Sequence, residues 1–197
     1  MSLDIHKLSS ELVEGIAYKS NLSSFKGSVY GGESFGVFDG FVSIANWLYE
    51  YNPAKGELLV WKETDESVKH VIFTELYNIT ELSFTFDKQM LNVVSYVKSG
   101  IAYVYFFDSS LNAYNTISFL DVFTPKVALN SINFSHIQDS NVVLGYVKGT
   151  STLCVRLQQD RYTKEYVVKK FDNKIKLFNI GYASTNRFQY EILESVA

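Results

Sequence analysis

Three aspartates, Asp87, Asp108 and Asp160, stand at matching turns along a chain of 197 residues. Paired carboxylates suit general acid–base work on a glycosidic bond when they face one another across a cleft. The same residue type also closes turns, because an Asp carboxylate accepts hydrogen bonds from its own backbone two residues on. The turn reading is preferred, and no catalytic residue is assigned. The third aspartate lies within the polar stretch 158–165 (Gln-Gln-Asp-Arg-Tyr-Thr-Lys-Glu), which follows a hairpin. Within it Arg161 is read as a fork donor to Asp160 or to a backbone carbonyl. The stretch is either a packed polar turn or an inter-subunit contact, and Arg161 and Tyr162 join the interface candidates.

Other reactive types are poorly placed for chemistry. His6, His70 and His136 lie far apart, and none has a second ligand at i+2 or i+4. Metal sites favour such local pairs, so no metal is expected. Glu57, Glu63, Asp65 and Glu66 lack the alternating spacing of a calcium loop and read as a solvated turn. Cys154 is the one cysteine, which excludes an intramolecular disulfide and a cysteine-cluster zinc site. It sits in an apolar run and reads as a buried, inert thiol. Residues 25–40 are dense in Gly and aromatics but carry no GxGxxG and no GK[ST], so a phosphate cradle is not expected. They read as short bulged strands or as a functional aromatic loop. No GxSxG, CxxC or HExxH occurs. The chain is therefore expected to be no enzyme and to bind no cofactor.

The scaffold that would hold these residues is β-rich. Aromatics are plentiful, with 15 Phe, 14 Tyr and 2 Trp, and such residues favour pleated, half-buried strands. Apolar residues make up 47% and charged residues 20%, which fits a globular chain and argues against disorder. A chain of this length buries about 70% of its unfolded surface and folds without staples. The net charge is −3 and Lys169-Lys170 is the one adjacent basic pair, so no nucleic-acid partner is expected. No apolar run approaches ~18 residues, so no membrane insertion is expected. The start Met1-Ser2-Leu3-Asp4 has no basic n-region, and synthesis and folding in a reducing cytoplasm are expected.

The chain says nearly the same thing twice. Asn92-Val93-Val94 leads to Tyr96-Val97-Lys98, and Asn141-Val142-Val143 leads to Tyr146-Val147-Lys148. Each copy runs on to an Asp (Asp108, Asp160) and then to a Tyr (Tyr114, Tyr166). A strand repeat with a period of roughly 50 residues points to propeller-like or meandering sheets that bury one unit against the next. Hairpins are expected around Ser99-Gly100 and Gly149-Thr150. The expected fold is all-β: an incomplete propeller-like array, or a sandwich, of four-stranded antiparallel repeats. Residues 1–25 form a less regular arm, with Leu8, Leu12 and Ile16 compatible with a short helix. Residues 26–197 form the repeat domain, with units at about 41–78, 79–121 and 122–171 and closing strands over 175–193.

Six runs in three groups carry a family resemblance. They are 82–87, 93–96 and 102–108 with Tyr114; then 143–146 and 157–165; then 181–191 with Gly181-Tyr182-Ala183 and Arg187-Phe188-Gln189-Tyr190-Glu191. Together they resemble virion proteins of tailed, short-tailed podovirus-like bacteriophages, over roughly residues 75–191. The chain departs from that pattern with the insertion 130–140 and with Cys154-Val155-Arg156 in place of aromatics. The resemblance implies a non-enzymatic tail component in many copies, an adaptor or tail-knob subunit that docks tail fibres or joins tail rings. It implies fibre, tail-tube or nozzle partners, a homo-oligomeric ring and a place in the virion tail after synthesis in the bacterial cytoplasm. Aromatics are enriched at binding hot spots, which makes Tyr30, Phe35, Phe38, Trp47, Tyr49 and Tyr51 the further interface candidates. The alternative is a carbohydrate-binding module for host glycans, with Trp47 and Trp61 stacking on sugar rings.

Overall fold

The computed structural model describes residues 5–7, 20–21, 25–39, 42–129, 142–182 and 188–195. The expected helix over 8–16, most of the N-terminal arm, His136 with the 130–140 insertion, and Ala183 to Arg187 lie outside the described residues. Two short strands, β1 (Ile5–Lys7) and β2 (Ser20–Asn21), precede the main array.

The described chain is all-β and builds four sheets that do not close into a barrel. The first contains β3 (Lys26–Gly31), β4 (Ala45–Asn52), β5 (Glu57–Lys62) and β6 (Asp65–Phe73), with β2 on its far side. The second is the meander β7 (Ile79–Phe86), β8 (Asn92–Lys98), β9 (Ile101–Asp108) and β10 (Ala113–Phe119). The third is the meander β11 (Val122–Leu129), β12 (Val142–Lys148), β13 (Thr152–Leu157) and β14 (Tyr166–Lys170). The last pairs β15 (Ile175–Tyr182) with β16 (Phe188–Glu194), and β1 joins β16 in parallel. The first unit thus opens at Lys26–Gly31, upstream of the expected start near residue 41.

The sheets pack through their leading strands. β7 lies against β3 and β11, and β11 lies against β7, β8 and β15. This succession of inner strands makes the array propeller-like and open. Burial follows from it. β8 and β12 are buried along nearly their whole length, β9 alternates buried and half-exposed residues, and β14 is mostly exposed. The repeated Val-Val and Tyr-Val runs fall in β8 and β12, the second strand of each unit, where both faces meet a neighbour. Apolar residues at successive positions suit such a strand, because no face is left to water.

Buried hydroxyls tie the sheets together. The Val127 N–H donates to Ser83 Oγ at 3.1 Å, the Ser95 hydroxyl donates to the Pro125 carbonyl at 3.2 Å, and the Leu177 N–H donates to Thr124 Oγ1 at 3.1 Å. Pro125 sits at the register shift in β11, where its missing N–H breaks no ladder bond. The turns match the expected chemistry. Ser99 and Gly100 both have positive φ, 53° and 75°, as a two-residue hairpin turn requires. At Gly56 (φ +64°) a Cβ would meet the Leu76 nitrogen at 2.8 Å, so only glycine fits.

Candidate functional site

Three turns converge on one cleft of about 390 Å³ at the ends of the second and third sheets. They are the β7–β8 turn with Asp87, the β9–β10 turn with Asp108, and the 3-10 turn Gln158–Asp160 with Arg161. Asp87 and Asp108 first close their own turns, as expected, whereas the Asp160 carboxylate takes side-chain partners instead. Asp87 Oδ1 accepts the Gln89 and Leu91 N–H groups at 2.8 and 3.0 Å. Asp108 Oδ1 accepts the Ser110 N–H at 3.0 Å and the Ser110 hydroxyl at 2.6 Å. Asp160 Oδ2 accepts the Tyr166 hydroxyl at 2.7 Å.

The second carboxylate oxygens of Asp87 and Asp108 then reach across to the neighbouring sheet. Gln158 Nε2 donates to Asp87 Oδ2 at 3.1 Å, and Gln158 Oε1 accepts the Val142 N–H at 3.1 Å. Arg161 forks onto Asp108 Oδ2, with Nε at 2.8 Å and Nη2 at 2.6 Å. Arg161 was expected to serve Asp160 or a carbonyl. It turns instead to Asp108, because left-handed backbone at Arg161 (φ 52°) and Tyr162 (φ 57°) swings the chain toward the second sheet. Tyr162 is thereby driven into the core, edge-on to Phe106 at 4.9 Å.

The two cleft carboxylates titrate in opposite directions. Burial raises Asp87, against the pull of the Leu91 and Gln89 N–H groups and the Gln158 amide. The Ser110 hydroxyl, and after it Arg161, hold Asp108 below the usual range against its own desolvation. Divergent carboxylates are the pattern of an acid–base pair. Here, however, both oxygens of each carboxylate already serve a turn or an inter-sheet tie. The Arg161 guanidinium is half-exposed at the cleft mouth and is itself tied to Asp108. Among the described residues, no three His, Cys, Asp or Glu side chains are grouped to hold a metal ion.

The expected aromatic interface divides. Tyr30 and Phe38 are exposed, Phe38 by 52%. Phe35 is half-buried and stacks on His70 at 4.0 Å. Trp47, Tyr49, Tyr51 and Tyr162 are core residues, which corrects their assignment to an interface. The cause is strand alternation: positions 47, 49 and 51 of β4 all point to its buried face. The Trp47 indole donates to the Gly32 carbonyl at 2.9 Å, and the Tyr51 hydroxyl donates to the Leu76 carbonyl. With Trp47 at 3% and Trp61 at 8% exposure, neither tryptophan offers a sugar-stacking platform.

Two groups went unrecognised in the sequence. Arg156 donates to the Tyr146 hydroxyl (2.9 Å) and the Tyr162 carbonyl (2.9 Å), and pairs with Glu165 (3.3 Å). Lys148 and Tyr146 complete the knot by donating to Glu165 at 2.7 Å each. Burial pushes Glu165 up, but the Lys148 and Tyr146 hydrogen bonds and the nearby cations outweigh it and hold the carboxyl low. The available signal was Arg156 itself, a charge in a run that otherwise reads as buried strand. The second group is Lys126 in β11, fully buried with no hydrogen-bond partner for its amine. Burial lowers it to about 8, opposed by Glu81 and reinforced by Lys176. Cys154 is buried as expected, and burial raises its thiol to about 11, which keeps it protonated and unreactive at neutral pH.

No protein-family model, no curated protein and no solved structure matches the chain.

Proposed function

We propose that this chain is a non-enzymatic structural subunit of a bacteriophage tail, an adaptor or tail-knob component that docks tail fibres or joins tail rings. Its partners would be fibre, tube or nozzle subunits and further copies of itself in a ring. The observation that carries the reading is the connection between β3 and β4. Val37, Phe38, Val42 and Ile44 are all exposed there, Val42 by 87%, with Tyr30 at the adjoining end of β3. Apolar side chains clustered on one exposed connection are the mark of a docking surface, since a monomer gains nothing by leaving them in water. The resemblance of residues 75–191 to virion proteins supplies the setting. The tied-up carboxylates of the cleft fit a role in holding sheets together.

The test is to label the chain, fractionate intact particles and image them by electron microscopy. Symmetric density at the tail is the expected result, lost in a Phe38→Ser/Val42→Ser variant that still folds. A chain absent from particles would overturn the proposal, and glycan-array binding would then be the next measurement.

A further inference from the structure

The outer strands of the sheets are not equally protected. An edge strand presents unpaired N–H and C=O groups, and proteins blunt it with charge, proline or bulges. β6 carries Asp65, Glu66 and Lys69, and its register against β5 shifts twice. β14 ends in Lys169-Lys170, and its register against β13 shifts once. β15, an outer strand of the last sheet, carries Lys176, and its register against β16 shifts once. β10 has none of these devices. Its seven residues, Ala-Tyr-Asn-Thr-Ile-Ser-Phe, include no charge and no proline. They pair with β9 without a break from Ala113↔Asp108 to Phe119↔Ala102. Among the described residues β10 has no strand on its other side.

The direction of its free groups can be read from one hydrogen bond. The Thr116 N–H donates to the side chain of its own neighbour, Asn115 Oδ1, at 2.9 Å. It therefore points away from β9. Antiparallel ladders alternate, so Tyr114 and Ser118 turn their backbone groups outward as well. These three positions are symmetric about Thr116.

We propose that β10 is a self-pairing edge, through which two copies of this chain join antiparallel with Thr116 opposite Thr116. In that register Tyr114 faces Ser118 of the second copy and these pairs exchange both of their N–H···O bonds, while the central Thr116 pair does so by releasing the N–H that Asn115 Oδ1 holds in the single chain. No like charges oppose one another in this pairing. The occupant is a second copy because an edge this regular is matched by an equally regular one, and the other outer strands are bulged and charged. The side chains at these positions share one face with the half-buried Tyr103, Tyr105 and Phe107 of β9. Tyr114 is already ordered there, stacked on Tyr105 at 4.7 Å and edge-on to Phe107 at 5.4 Å. Pairing would set two such aromatic clusters on one continuous sheet. The contact is isologous and closes at two copies, so a larger ring would use another surface. The inference rests on the reading of the chain as an assembling subunit, but on a surface other than the β3–β4 connection.

The experiment is sedimentation velocity of the full chain over a micromolar range. The wild type is expected to be a dimer. Thr116→Lys and Thr116→Glu each place like charges at the centre of the contact and should weaken association by about tenfold or more, with unchanged circular dichroism because the side chain is exposed. A one-to-one mixture of the two variants should restore the dimer. A wild type that is monomeric throughout, a Thr116→Lys dimer as tight as wild type, or a mixture that stays monomeric would each overturn the proposal. The particle-labelling result is read independently. A dimer abolished by Thr116→Lys in a chain missing from tails would keep β10 pairing and sink the tail assignment.

Discussion

The β7–β10 and β11–β14 sheets are two versions of one unit, and they spend the same residues differently. In the second unit of the chain, β9 and β10 cover their outer face with Tyr103, Tyr105, Phe107 and Tyr114. In the third, the corresponding region is a polar knot of Arg156, Glu165, Tyr146 and Lys148. The shared Asp–Tyr pair also diverges. Tyr166 donates to Asp160, while the Tyr114 hydroxyl accepts the Asn92 N–H at 3.3 Å and leaves Asp108 to Arg161. One backbone plan therefore yields a neutral, regular edge on one sheet and a charged, bulged edge on the next. Backbone geometry is set by buried positions, so the exposed ones were free to take up different tasks.

The sharpest way to break the comparison is to ask whether the two units fold as one. Phe84→Ala, at a fully buried site on β7, should cost about 3–5 kcal/mol in chemical denaturation. Amide exchange should speed up in β12 as well as β8, and protection kept in β12 alone would show two independent units. The next effect has the opposite sign. Lys126→Met with Glu81→Gln removes the buried cation together with the carboxylate that acts on it, and should stabilise the fold by about 1–4 kcal/mol at pH 7. Because the folded Lys126 sits near 8 and its unfolded value is 10.5, the unfolded chain binds more protons between them. The wild type should therefore gain stability from pH 8 to 10.5 relative to the variant. Tyr49 and Tyr162, raised by burial, pull both proteins the other way above pH 10 and cancel in the difference.

Smaller again is Gln158→Ala, which cuts the tie from the third sheet to Asp87 and should cost about 1–3 kcal/mol. Asp87, already raised by burial, should rise further in a carboxyl NMR titration. An acid raised in the folded state favours its protonated form, so stability falls as pH climbs through that window, and the window should extend upward in the variant. The smallest effect is on the outer edge. Lys169→Thr with Lys170→Thr should change stability by less than about 0.5 kcal/mol, yet light scattering should show new self-association as the β14 edge comes to resemble β10.

Much of the second and third units was legible beforehand. The Ser99-Gly100 hairpin, the Asp turns and the alternation in β9 follow from local rules, since turn chemistry and period-two patterning act over a few residues. The first unit was harder. Gly27, Gly31 and Gly32 mask a strand at Lys26–Gly31, and the aromatics of β4 read equally as surface or core until the direction of the strand is known. The cleft was half legible: its residues were singled out, but their partners were not. Arg161 finds Asp108 from 53 positions away, and no local pattern carries a contact of that separation.

The sequence by itself determined the all-β class, the repeat and the turns, because each depends on neighbouring residues and on which positions avoid water. Tertiary structure alone decided which aromatics are core, which aspartate receives the arginine, that Lys126 lies buried without a hydrogen-bond partner, and which outer strand is left unprotected. Those outcomes depend on how the sheets stack. Stacking sums weak contacts between distant residues, and it fixes burial, charge pairing and edge exposure together.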